Sequence, residues 1–131
     1  MRIQVKDFMI TSVITAVGSK KVHEIRSLME EHGIHAVPII EYAKQLPTNK
    51  VNIRGIITIS DLSKNVDENA LCASIMTPLV HVVHKDSSAQ AAAKMMLKHS
   101  VHHIVVMEDG EIVGIISSAD FVKLVAEHTL D

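Results

Sequence analysis

The stretch Gly114-Ile115-Ile116-Ser117-Ser118-Ala119-Asp120 decides how this chain is read, because the chain carries it twice. The other copy is Gly55-Ile56-Ile57-Thr58-Ile59-Ser60-Asp61. In both, an apolar run with strand character meets a hydroxyl residue, and a carboxylate follows three positions later, where a helix begins. Thr58 or Ser60, and Ser117 or Ser118, are good helix N-caps. The unpaired N–H groups and partial positive charge of a helix start suit an anion such as phosphate. An ionised Asp61 or Asp120 in the first turn accepts hydrogen bonds from hydroxyls. A ligand with a phosphate and a vicinal diol, a ribonucleotide, satisfies both ends at once. The plainer reading of one copy is a capped strand-to-helix turn with an Asp that suits the helix dipole. Duplication favours binding.

Working outward, the repeat extends over most of the 131 residues. At an offset of 67, Met9 falls on Met76, Val13 on Val80, Met29 on Met96, His32 on His99, His35 on His102 and Glu41 on Glu108. At an offset of 59, Gly55, Ile56, Ile57 and Asp61 fall on Gly114, Ile115, Ile116 and Asp120. The change of offset marks an insertion in the first copy between Glu41 and Gly55. Residues 1–66 and 67–131 are therefore expected to be two copies of one unit.

Each unit reads β-α-β-β-α. A lead-in segment (Asp7-Phe8-Met9; Ser74-Ile75-Met76) precedes a brief extended stretch, Val13 to Val17 or Val80 to Val83. Val22, Ile25, Leu28, Met29 and His32 recur at helical spacing. In the second copy Ser87 and Gln90 read as a capping box leading into Ala89, Ala92, Met95 and Met96. A hairpin follows, with Asp109-Gly110 between the apolar runs 103–107 and 112–116, a strong turn signal. The first copy replaces that turn with a long loop, Glu41 to Asn52, containing Pro47. A final helix closes each unit, over Leu62 to Val66 in the first copy and through Phe121, Val122, Leu124, Val125 and His128 in the second. Neither copy alone covers both faces of its small sheet, so the expected fold is α/β (α+β), two repeats packed sheet to sheet with pseudo-twofold symmetry.

Composition narrows the function classes. Hydrophobic residues make up 47% and charged residues 21%, with a net charge of −2. No basic stripe and only 2% aromatic residues argue against a nucleic-acid partner. Cys72 is the sole cysteine, which excludes a disulfide framework or a thiolate cage. The first residues lack an uninterrupted apolar core of a signal peptide, and no apolar run reaches membrane-spanning length. The expectation is a cytoplasmic protein without a membrane partner.

The ordered set of motifs, repeated twice, resembles a pair of CBS domains, the tandem arrangement called a Bateman module. The resemblance rests on a Met-Thr-Pro-like lead-in, an apolar-Pro-apolar strand and the Gly-x-x-(Ser/Thr)-x-x-Asp turn, and it covers nearly the whole chain. It implies a regulatory module, not an enzyme, that binds an adenosine ligand (AMP, ADP, ATP or S-adenosylmethionine) in a cleft between its repeats. It also implies signalling to an attached or partner protein through conformation or dimer geometry. On this resemblance Asp61 and Asp120 hold ribose hydroxyls, and Thr58 and Ser117 contact ribose or phosphate. Val37, Pro38 and Ile39 flank the adenine, with Ile104 and Val105 at the equivalent strand, which lacks the proline. Ser60 and Ala119 stand where family members often carry a basic residue, leaving His103, Lys64 or Lys123 to meet phosphate. The apolar second helices imply a homodimer.

Other readings have less behind them. The clusters His99-x-x-His102-His103 and His81-x-x-His84 invite a divalent-metal sensor, yet neither has an evident Cys or carboxylate partner. A Ser117 or Ser118 nucleophile lacks a marked base and oxyanion hole. Met29, Met95 and Met96 sit in the core phase of their helices. The rival from a different class is a purely structural dimerisation scaffold with empty clefts.

Overall fold

The structure, a computed structural model, describes residues 2–42 and 50–127. Pro47 and His128 lie outside the described residues. The chain contains two three-stranded sheets with flanking helices, an α+β architecture in two repeats. In chain order the elements are β1 (Ala16–Val17), α1 (Val22–His32), β2 (Ala36–Tyr42), β3 (Val51–Thr58), α2 (Ile59–Leu62), β4 (Val82–His84), α3 (Ala89–His99), β5 (His103–Glu108), β6 (Glu111–Ser117) and α4 (Ser118–Glu127). Short 3-10 turns occupy Val5–Asp7 and Cys72–Ser74. No helix among the described residues is long and apolar enough to cross a membrane.

The two sheets repeat one another to the detail of their irregularities. β1 runs parallel to β2 and β2 antiparallel to β3, and β4, β5 and β6 follow the same scheme. The register of β2 with β3 shifts between Ile39 and Ile40, and that of β5 with β6 between Val106 and Met107. These positions are related by the sequence offset of 67, and the bulge in each case precedes the glycine of the duplicated motif along β3 or β6. The β5–β6 hairpin closes through Asp109 and Gly110, with φ of 50° and 78°. Positive φ at both central residues matches the type I′ geometry that suits the twist of paired strands.

Local capping chemistry accounts for the helix limits. α1 buries Val22, Ile25 and Met29 along one face and ends at Gly33, whose φ is 63°. α3 buries Ala92 and Met96. Its N-cap is Ser88, which accepts a hydrogen bond from the Ala91 N–H at 3.0 Å, in place of the expected Ser87–Gln90 box. Ser87 is engaged elsewhere, its carbonyl accepting from the Val5 N–H at 2.8 Å. The closing helix of the first copy also departs from expectation: α2 is the single turn Ile59–Leu62, not a helix over residues 62–66. Thr58 starts it early, and Arg26 takes the Leu62 carbonyl while holding Glu68 through two 2.9 Å bonds, which ends it.

Two compact units emerge, one of Ile14–Val80 and the other of Met1–Val13 with His81–Asp131. These spatial units are not the sequence repeats. Each lead-in segment lies in the unit built on the other repeat. In the first unit Lys21 bridges to Leu71 and Ile56 to Thr77. In the second, Gln4 bridges to Ser88 and Ile10 to Ile115. Cys72 is fully buried with Val22, Ile25, Val37, Ile39 and Ile57, and Val5 is fully buried with Val83, Ala92, Met96, Ile104 and Ile116. Each core therefore depends on a residue delivered from the opposite repeat.

Candidate functional site

The two duplicated turns are built by the same local bonds. At the end of β3, the Thr58 N–H donates to Asp61 Oδ2 at 2.9 Å and the Thr58 hydroxyl to the same oxygen at 3.2 Å. The Asp61 N–H returns a bond to Thr58 Oγ1 at 3.4 Å. At the end of β6, Ser117 donates to Asp120 Oδ2 from its N–H at 2.8 Å and its hydroxyl at 3.1 Å, and the Asp120 N–H donates to Ser117 Oγ at 3.3 Å. Both are reciprocal caps in which the acid three residues on serves the capping residue. Thr58 and Ser117, not Ser60 or Ser118, take the capping position. One oxygen of each Asp is thus committed to shaping the turn, and its second oxygen governs what else the turn can bind.

The backbone behind each turn is anchored identically. Ile59 N–H donates to the His35 carbonyl at 2.9 Å and Ser118 N–H to the His102 carbonyl at 3.0 Å. Ser118 Oγ also lies 3.5 Å from His102 Nδ1. His35 and His102, which the site reading left out, therefore stand beside the two turns. Their shared offset of 67 was the available signal.

The strand residues divide by face. Val37, Ile39 and Ile104 are fully buried and belong to the cores against the helices. Pro38 and Val105, alternate residues on β2 and β5, lie on the opposite face and are also fully buried. His103, at the start of β5 opposite Ser117, is partly exposed.

The glycine opening each motif has a steric role. A Cβ on Gly55 would lie 2.7 Å from both Met76 Sδ and the Thr77 carbonyl oxygen; on Gly114 it would lie 2.5 Å from Met9 Sδ and 3.2 Å from the Ile10 carbonyl oxygen. The lead-in segments run over these glycines, bonded through Ile56 to Thr77 and through Ile10 to Ile115. A family model for the CBS domain matches the chain twice, over residues 5–68 and 72–127.

The chain belongs to the CBS domain family.

Solved CBS domain pairs are similar in fold. The CBS domain pair of protein MJ0100, in complex with 5′-methylthioadenosine and S-adenosyl-L-methionine, is similar with a TM-score of 0.82 and 27% identity, over 97% of this chain and 98% of that one. A putative acetoin utilization protein (AcuB) of Vibrio cholerae gives 0.79 and 26%, over 97% and 93%. Among curated proteins, the chain is 32% identical to an inosine-5′-monophosphate dehydrogenase of Korarchaeum cryptofilum, over 88% of this chain and 23% of the dehydrogenase. The uncharacterized protein MJ1232 of Methanocaldococcus jannaschii is 29% identical, over 95% of this chain and 40% of its own length. This CBS pair thus spans less than half of these two curated relatives.

Two of the histidines stack. His81 and His99 have ring centroids 4.1 Å apart at an interplanar angle of 23°. Among the described residues no group of three His, Cys, Asp or Glu is arranged to hold a metal.

Proposed function

We propose that this CBS pair is a regulatory module that binds an adenosine-containing small molecule through its duplicated hydroxyl-and-Asp turns. The observation that carries the reading is the recurrence of one capped turn, bond for bond, in a CBS pair whose structural neighbour is solved with two adenosine compounds. Asp61 and Asp120 are the candidate acceptors for ribose hydroxyls, and Thr58 and Ser117 the candidates to meet ribose or phosphate. Pro38 and Val105, on the sheet faces turned away from the helix cores, are fully buried, so an adenine ring would reach them only if the packing over those faces opens. The AMP, ADP and ATP class fits the same diol chemistry as S-adenosylmethionine. Signalling would follow from differential affinity, since a ligand shifts an equilibrium only as far as it prefers one state.

A thermal-shift panel of AMP, ADP, ATP, S-adenosylmethionine and 5′-methylthioadenosine tests the reading. A ligand that binds only the folded chain raises the melting temperature, by an amount that grows with the logarithm of its concentration over its Kd. A flat response to all five would remove the nucleotide role and favour the scaffold. A charge-assisted hydrogen bond is worth about 1.5–3 kcal/mol, so removing a diol-holding carboxylate should weaken binding about tenfold or more.

We also propose homodimerisation. α4 has no buried residue, and its Val122 and Val125 are 69% and 54% exposed. A second copy is the simplest cover for that face. Light scattering should give twice the chain mass for the native protein and a single mass for Val122→Lys.

A further inference from the structure

The two turns match at one carboxylate oxygen and differ at the other. Asp61 Oδ1 accepts from the Thr77 hydroxyl at 3.4 Å and has Lys64 Nζ at 3.9 Å. Asp61 is only 8% exposed, the one buried charged residue among those described. In the other unit the position equivalent to Thr77 is Ile10. The two residues make the same bridge, Thr77 to Ile56 and Ile10 to Ile115, but Ile10 carries no hydroxyl. Lys123, equivalent to Lys64, makes no ion pair with Asp120 among the described residues, and Asp120 is partly exposed. Asp120 Oδ1 accepts no hydrogen bond among the described residues. The residue after the cap differs too: Ser118, whose hydroxyl lies 3.5 Å from His102 Nδ1, follows Ser117, where the apolar Ile59 follows Thr58.

A buried acceptor already served by an internal donor gains little from a ligand hydroxyl, because that hydroxyl must displace an existing bond. An accessible carboxylate oxygen without an internal donor exchanges water for the ligand at no such cost. We infer that the Asp120 turn is the sugar-gripping one of the pair, and that the Asp61 turn is closed by this chain's own Thr77. The duplicated module then takes one adenosine ligand per chain, with Asp61 serving the fold. This assignment rests on the adenosine reading given above.

Calorimetric titration with AMP and with 5′-methylthioadenosine, paired with urea melts, tests it on the full chain. Native protein should bind one equivalent. Asp120→Asn should lose at least tenfold in affinity, whereas Asp61→Asn should stay within about twofold while its urea midpoint falls. Ile10→Thr, at a half-exposed position that tolerates the change, installs the missing donor and should weaken binding severalfold. Thr77→Val should open the Asp61 turn and raise the stoichiometry above one. Two equal binding events in the native chain, or a tenfold loss confined to Asp61→Asn, would overturn the assignment while leaving the adenosine reading intact. Silence of the native chain toward both probes would remove that reading and the assignment with it.

Discussion

Gly55 and Gly114 show how much a single missing Cβ can decide. Both sit inside strands, where glycine is a poor choice unless another backbone comes close. Replacing either with Ala should destabilise the protein by about 1–3 kcal/mol, the usual cost of overpacking. Gly55→Ala should be the worse of the two, because its Cβ would meet the Thr77 carbonyl, which cannot swing aside, whereas Gly114 meets first the flexible Met9 side chain. Urea midpoints of the two variants check the order. His99 supports a second expectation. Loss of hydration, then the His81 ring and Lys98, hold its imidazole below the ordinary 6.5. A base whose folded pKa is depressed contributes stability that is present above 6.5 and lost as pH falls toward and through the folded value. The urea midpoint should therefore drop from pH 7.5 to 5.5, and His99→Gln should flatten that slope; an unchanged slope would remove the claim. The duplicated turn was legible in the sequence, with two possible caps in each copy, of which the fold uses Thr58 and Ser117. Which oxygen each Asp keeps for the fold was not, since Thr77 and Asp61 are sixteen residues apart and meet only in space.

The elements follow their local chemistry where that chemistry is short-range. The α1 periodicity and the Asp109-Gly110 turn stand where the residues place them. α1 and α3 end alike at the offset of 67, with Gly33 at φ 63° and Ser100 at φ 54°. Ile34 and Val101 then donate to the carbonyls of Met29 and Met96 at 3.0 and 3.1 Å. Glycine adopts this left-handed conformation freely, and serine does so against a Cβ clash. Ser100→Gly should accordingly stabilise the chain by about 1 kcal/mol, measured by urea melt, while Gly33→Ser should cost a similar amount. Elements governed by distant partners were misread. Val5 claimed the Ser87 carbonyl and moved the α3 cap to Ser88, and Arg26 closed α2 after one turn.

The molecule as a whole trades its lead-in segments between repeats. Cys72 completes the core built on the first repeat and Val5 the core built on the second. A fragment of residues 14–80 holds a complete core, whereas one of residues 1–66 lacks the segment carrying Cys72 and Thr77. The 14–80 fragment should retain more amide protection in hydrogen exchange than the 1–66 fragment, and equal protection would refute the dependence. Residue order alone determined that two like units exist, their strands and helices, and the capped turns that end β3 and β6, because periodicity and capping act within a few residues. Only the tertiary structure decided which lead-in completes which core, and that Thr77 occupies one carboxylate while Ile10 leaves the other open. Those outcomes depend on contacts between residues far apart along the chain, for which no local pattern exists.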